Sequence, residues 1–305
     1  MTSRETQRPS FVQRETLIGI LCAIGVVALF SGFVLVSRLG LRTTMEPVDL
    51  AALRLSIGGL VLLPLFLRHG LAGLRPLQAL PLAVAGGMGF ALLAYSGFQR
   101  APASHGSLLI HGALPLSNLL VGYAIAGTQP VRRELFAYGL ILLGIVLMAW
   151  DSLANSTLRT LGGDALLLAA SLTWATYGVL LRKLKVPALP AAAIVAAGSL
   201  LLYVPAYFVL APTRLFQFPV SELLLQGLFQ GLLIGAVSLF FYTRTVTALG
   251  ASFAALISAI VPGVTTLAAI PLLGEIPSVQ VVAGIVAVAT GITIPVVATL
   301  RRGDR

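Results

Sequence analysis

Charge is what this sequence has least of. Asp, Glu, Lys and Arg make up 10% of its 305 residues, where a soluble domain carries roughly 25%, so such a surface cannot hold a globule in water. Cysteine is nearly absent as well: Cys22 stands alone, inside the first apolar run, which excludes an intramolecular disulfide and a thiolate zinc site. No Asp or Glu falls in the middle third of any apolar run, so an acid-based proton relay and an acid-lined cation site both lack a seat. There is no Walker loop for ATP, no Ser/His/Asp arrangement and no set of metal ligands. The expectation is a protein that is not an enzyme, with no cofactor and no metal.

What the chain does have is apolar length. Hydrophobic residues make up 58%, and a transmembrane helix takes about 20 of them, so ten spans would use about 200 residues and leave about 105 for loops and tails. A soluble enzyme, a secreted disulfide scaffold and a disordered chain are excluded. Apolar runs between charges and turn residues predict helices over 16–37, 47–67, 77–98, 102–126, 132–150, 162–181, 188–210, 221–243, 250–273 and 278–300. The first run, with Arg4, Arg8 and Arg14 before it and no A-x-A site after it, is too long for a signal-peptide core and reads as a retained span. No loop is long enough to fold as a domain.

The net charge of +10 does not point to nucleic acid, because the basic residues sit in short clusters between the runs. Arg4, Arg8, Arg14, Arg68, Arg75, Arg132, Arg133, Arg182, Lys183, Lys185, Arg244, Arg301, Arg302 and Arg305 fall on one side of the ten-span layout. Arg38, Arg42, Arg100, Arg159 and Arg214 fall on the other, a split of 14 to 5. Basic loops stay cytoplasmic, which puts both termini inside. The bilayer itself is then a partner, through anionic lipid at these clusters.

The chain also repeats. Residues 94–146 slide by 147 onto 241–293 without a gap, matching Tyr95 with Tyr242, Ala101 with Ala248, Pro115 with Pro262, Gly127 with Gly274, Pro130 with Pro277 and Gly144 with Gly291. A shift of 144 matches Gly19 with Gly163, Phe30 with Trp174, Phe33 with Tyr177 and Arg38 with Arg182. The halves are 16–150 and 162–300, flanked by tails at 1–15 and 301–305. Five helices is an odd number, so the second half enters the membrane from the opposite face. Inverted halves are a transporter architecture, with the binding site between them near the midplane.

LLGEIPSVQVVAGIVAVATGI, from Leu272 to Ile292, resembles the closing motif of an EamA-type repeat of the drug/metabolite transporter superfamily. AIAGTQPVRRELFAYGLILLGIVLMAW, from Ala124 to Trp150, is its counterpart in the first half, with Thr128 where the second half has Glu275. PVDLAALRLSIGGL resembles the family segment with one arginine, here Arg54, and GGDALLLAASLTWATYGVLLRKL the start of a second repeat, with its tryptophan at Trp174. Within the superfamily the chain is most similar to bacterial amino-acid and metabolite exporters, in particular the YddG-like aromatic amino-acid branch. The resemblance implies a ten-helix protein of the bacterial inner membrane that exports small organic metabolites, amino acids among them.

Two residue groups carry candidate chemistry. Ser104, Ser107, His111, Pro115 and Asn118 are spaced along one face of the fourth helix, and polar groups in lipid must face protein or a water-filled cavity. Through the repeat, Ser258 stands opposite His111. Pro115 and Pro262 predict kinks, candidates for gating. His111 is the one mid-membrane group whose type titrates near neutral pH, which favours facilitated diffusion or weak proton coupling. The second group is aromatic: Phe30, Phe33, Tyr95, Phe98, Trp174, Tyr177, Phe241 and Tyr242. Core packing would account for each alone; as pairs across the repeat they suggest walls for a ligand with a flat ring. Arg54 could hold a carboxylate, or snorkel, or pair with Asp49 or Glu46. Glu275 and Asp164 fall at helix ends, where solvation or capping accounts for them. The substrate-lining set is therefore Trp174, Tyr177, Phe30, Phe33, Tyr95, Tyr242, His111, Asn118, Ser107, Ser258 and Arg54.

Two other readings share the composition. A multidrug exporter of the same fold, taking apolar cations, needs an acid in its cavity. An intramembrane lipid-modifying enzyme needs a titratable cluster near one face, for which Arg100 with His105 is too thin. The sequence leaves the oligomeric state open, a monomer included.

Overall fold

The structure is a computed structural model that describes residues 11–303 apart from 44, 128, 130–133, 156, 211–214 and 250. Arg4, Arg8, Arg132, Arg133, Arg214, Arg305, Thr128 and Pro130 lie outside the described residues. Among the described residues all regular structure is helical. The helices are α1 Phe11–Leu41, α2 Pro47–His69, α3 Pro76–Arg100, α4 Ala103–Gly112, α5 Leu114–Ala126, α6 Leu135–Asn155, α7 Leu158–Leu184, α8 Ala188–Leu210, α9 Val220–Leu249, α10 Ala251–Leu273 and α11 Val279–Gly303.

Six helices are long and apolar enough to cross a membrane: α1, α2, α3, α7, α8 and α9. The pair α4 and α5, bent by 43°, makes a seventh when taken as one broken span. Three shorter apolar stretches, Leu135–Asp151, Ile257–Leu273 and Val279–Pro295, complete the bundle. Large apolar side chains stand fully outside it, Val209 at 82% and Leu267 at 69% exposure. In water such a surface would aggregate; in a bilayer it is solvated.

Local chemistry sets the helix ends. Pro47 occupies the first turn of α2, and Glu46 and Asp49 cap its free amides reciprocally, Asp49 accepting from the Glu46 amide at 2.9 Å,. Gly127 and Gly274, matched by the repeat, both adopt φ 66°. Their amides donate to Tyr123 and Ile270 at 3.0 Å in each case, so the same left-handed stop closes α5 and α10. Pro115 lies in the first turn of α5, directly after the break at Ala113. Pro262, its match, lies inside α10, which runs from Ala251 to Leu273 without a break.

Packing interleaves the two halves. α1 packs on α9 and α10, as α7 packs on α3 and on the α4–α5 pair; α2 meets α9 as α8 meets α3; α2 meets α8, and α6 meets α11. Exchanging the halves maps this pattern onto itself. Small residues allow the close approaches: a Cβ on Gly144 would stand 2.6 Å from the Gly284 carbonyl, so α6 and α11 touch backbone to backbone.

Candidate functional site

A cavity of about 280 Å³ opens between the halves, at the low end for a small-molecule site. Its walls come from α1, α2, α3, α4, α5, α7, α8, α9 and α10. Three π-helical turns, Val84–Met88 in α3, Leu108–Gly112 in α4 and Gly227–Val237 in α9, each contribute wall residues. A π turn displaces the backbone from α-helical register and recurs at functional sites; at Gly87 the backbone leaves helical geometry altogether (φ −116°, ψ −106°).

Rings form the walls. Phe33 and Phe90 stack with centroids 6.1 Å apart, Phe90 meets Trp174 at 5.0 Å, and Trp174 meets Tyr177 at 5.3 Å. Across from them Phe30 stacks on His111 at 5.1 Å and on Tyr242 at 6.4 Å. The Tyr177 ring fits because residue 86 is glycine: a Cβ there would lie 2.7 Å from a ring carbon.

Among the described wall residues Arg54 holds the one formal charge. Its guanidinium lies 5.2 Å from the Phe33 centroid and 5.5 Å from that of Phe90, a cation–π sandwich. It stands beside the Tyr95 hydroxyl. Its Nη1 is buried with no hydrogen-bond partner, and so is Nε2 of His111. The capping carboxylate Asp49 is occupied elsewhere, accepting from the Tyr207 hydroxyl at 2.6 Å.

The two ends of the bundle differ. Where α1 finishes and α2 begins, side chains tie the helices together. Glu275 accepts from Arg38, from Arg42 at 2.7 Å and from the Ala103 amide at 2.6 Å; Arg38 also donates to the Phe98 carbonyl at 2.6 Å. Gln230 donates to Ser37 at 3.0 Å and accepts from Tyr95 at 3.2 Å, and Gln226 donates to the Val36 carbonyl at 2.8 Å. His105 bonds Asp164 at 2.9 Å, with both residues buried. Behind this clasp a second, polar pocket of about 340 Å³ is lined by His105, Asp151, Glu275 and Thr266. Among the described residues the opposite end has Arg244 on Glu15 at 2.6 Å and Lys183 on the Ile125 carbonyl at 3.4 Å. The cavity wall reaches toward that looser end, to Leu62, Ala192 and Tyr242.

A ring-walled cavity between two interleaved helical halves agrees with the comparisons with known proteins. The model of the EamA-like transporter family matches twice, over residues 17–150 and 161–297. The chain belongs to the EamA-like transporter family. It is therefore a multi-pass membrane protein of the drug/metabolite transporter type, in a family of transporters rather than enzymes. Fourteen solved chains match it. One, a crystal structure of a protein 21% identical, aligns with 95% of this chain and 99% of that chain at a TM-score of 0.60, a likeness in fold. No curated protein matches.

Of the residues expected to line the site of this EamA-like chain, Phe30, Phe33, Arg54, His111, Trp174, Tyr177, Tyr242 and Ser258 lie on the cavity wall. Tyr95 does not: it is fully buried and spends its hydroxyl on Gln230. Ser107 is fully buried behind the wall. Asn118 faces α7, with its Oδ1 3.8 Å from where a Cβ on Gly178 would stand. The helix breaks at Ala113, between His111 and Asn118. Asp164 and Glu275 are not simply solvated: the first is buried on His105, and the second gathers two arginines while it caps the first amide of α4 at Ala103. Arg54 pairs with neither Asp49 nor Glu46 among the described contacts. Sequence reasoning passed over Phe90, one turn beyond the Gly86–Gly87 pair, and Ser238. It also passed over Gln226 and Gln230, whose i, i+4 spacing inside an apolar run was a legible signal.

Proposed function

We propose that this transporter exports small amphipathic metabolites across a bacterial inner membrane, amino acids including aromatic ones, as the aromatic amino-acid exporter branch it resembles would do. The observation that carries this reading is the cavity wall: ring faces for a flat apolar body and, among the described wall residues, one guanidinium, whose buried Nη1 has no partner and would be satisfied by a carboxylate,. A cation exporter would call for a carboxylate on that wall, and none of the described wall residues supplies one. Phe30, Phe33, Trp174, Tyr177, Tyr242, His111 and Ser258 contact the cargo, with Arg54 on its acid group.

The ten spans count the three shorter apolar helices as crossings and the α4–α5 pair as one. In that layout the halves are inverted and the 14-to-5 split of basic residues places both termini in the cytoplasm. The clasped end is then periplasmic and the cavity lies nearer the cytoplasm, where cargo for export is loaded. Alternating access follows by opening the clasp and closing the looser end. The test is efflux from liposomes: purified protein accelerates release of labelled phenylalanine or tryptophan over protein-free vesicles, and no acceleration for any amino acid removes the substrate assignment.

A further inference from the structure

The wall of the cavity is asymmetric in charge. Arg54 contributes a full positive charge, His111 an unpartnered ring nitrogen, and the remaining described wall residues are apolar or hydroxylic. Arg54 lies on Phe33 and His111 on Phe30, three residues apart on α1. Phe30 and Phe33 share one face of α1, about 4.5 Å of helix rise apart, so the two groups stack on neighbouring rings of that face. Arg54 enters no ion pair with a described acid. Its guanidinium is therefore a charge in a low-dielectric site whose counter-charge must arrive with the ligand.

Among the described wall residues there is no carboxylate to match an ammonium. The hydroxyls of Ser238 and Ser258 donate to their own helices, to the Ile234 carbonyl at 2.8 Å and the Ala254 carbonyl at 3.1 Å. The Tyr177 and Tyr242 hydroxyls and the ring faces are neutral acceptors. A monocarboxylate brings the charge of the cavity to zero. A zwitterion leaves it at one positive charge, and an amine raises it to two.

We propose that the cavity reads the carboxylate and leaves the α-ammonium unread, so that flat or branched apolar monocarboxylates without an amino group are cargo at least equal to the amino acids. This rests on the transport reading above and narrows it: the ligand class is the apolar organic anion, within which the amino acids are tolerated zwitterions.

The test uses four ligands that share one ring and differ in charge: 3-phenylpropionate, phenylalanine, 3-phenylpropionamide and phenethylamine. In proteoliposomes of the full chain, each competes with efflux of labelled phenylalanine, and binding is read in parallel from quenching of Trp174 fluorescence in a Trp150→Phe background. The expected order is phenylpropionate equal to or tighter than phenylalanine, with phenethylamine weaker than phenylpropionate by tenfold or more. Arg54→Gln weakens phenylpropionate by tenfold or more and leaves the amide within twofold. Arg54→Lys, which keeps the charge without the planar fork, falls between, and stands in if the glutamine variant does not fold. The inference is overturned if phenethylamine binds as tightly as phenylpropionate, or if phenylpropionate binds tenfold more weakly than phenylalanine. If labelled phenylalanine does not move at all, the amino-acid transport reading fails. The charge inference then stands or falls on the binding arm, on whether phenylpropionate quenches Trp174 fluorescence in an Arg54-dependent way.

Discussion

Arg38 and Arg54 sit on neighbouring helices and are opposites. Arg38 has a partner on every nitrogen: Glu275 takes two of them and the Phe98 carbonyl the third. Arg54 has ring faces on both sides and a buried Nη1 with no partner. A guanidinium bonded through every nitrogen and paired with an acid is a structural tie, and its loss strands the groups it held. One with a donor left over and no acid beside it is costly to the empty protein and is relieved only by something that enters.

The sharpest way to break that comparison is to neutralise each arginine in turn. Arg54→Gln is expected to weaken carboxylate cargo by roughly 10- to 100-fold, the range of a charged hydrogen bond, while thermal stability in detergent holds or rises. Arg38→Gln is expected to do the reverse, lowering stability because Glu275 loses a partner, with cargo affinity unchanged. Two melting curves and two binding isotherms decide it; equal loss of stability in both would show that Arg54 is structural too.

Next in size is the clasp. Glu275 is absent from the first half, where the aligned residue is Thr128. The repeat matches Arg38 with Arg182, so the symmetry-related end of the protein has the arginine without the acid. Glu275→Thr writes the first half's residue into the second and removes the attachment of Arg38, Arg42 and the Ala103 amide together. Arg42 is 41% exposed and contributes little, while Arg38 at 13% carries most of the pair,. A loss of about 1.4 kcal/mol shifts a two-state population tenfold. The expectation is a rise of about tenfold in labelling of a cysteine at Ser258, in a Cys22→Ser background, by a reagent added at the clasped end. Unchanged labelling would mean that the glutamines of α9 and the His105–Asp164 pair hold that end alone.

Much of this architecture is legible in the sequence. The helices were legible because lipid demands long apolar runs, and the glycine matches were legible because Gly127 and Gly274 perform the same turn. Phe30 with Trp174, Phe33 with Tyr177 and His111 with Ser258 were legible as pairs across the repeat, and all six line the cavity. Tyr95 with Tyr242 was an equally good pair, yet one of them packs inside. Periodicity places a residue along a helix, whereas the rotation of that helix depends on its neighbours, and one residue of error turns a side chain by about 100°. The π turns of α3, α4 and α9 change that rotation again. Arg54 stood out as a charge within an apolar run, but that it lacked an acid partner depended on where Asp49 turned. Glu275 could not be understood at all from sequence, since Arg38 is 237 residues away.

A third prediction separates wall from surface. Trp174 is in contact with Phe90 and Tyr177 on the cavity wall, whereas Trp150 is 64% exposed on the lipid side of α6. Trp174→Ala is expected to weaken an aromatic cargo by roughly 3- to 10-fold, the worth of one ring contact, and Trp150→Ala to leave it unchanged. Equal effects would assign Trp174 to packing.

The smallest expected effect is the most specific to shape. At Gly86 an added methyl would lie 2.7 Å and 2.9 Å from carbons of the Tyr177 ring, so Gly86→Ala forces the ring to move. Tyr177 is held on one side by Trp174 at 5.3 Å, and the free direction is into the cavity. The site should shrink without losing any charge or hydrogen bond. Affinity is then expected to fall by about threefold for an indole-sized cargo, the cost of a modest overlap, and to stay level for a leucine-sized one. Because Arg54 is untouched, the dependence on the carboxylate should persist in the variant at full strength. If large and small cargo lost affinity alike, the damage would lie in the π turn of α3 and not in the shape of the wall, and the ring face would have to be dropped from the account of what this cavity recognises.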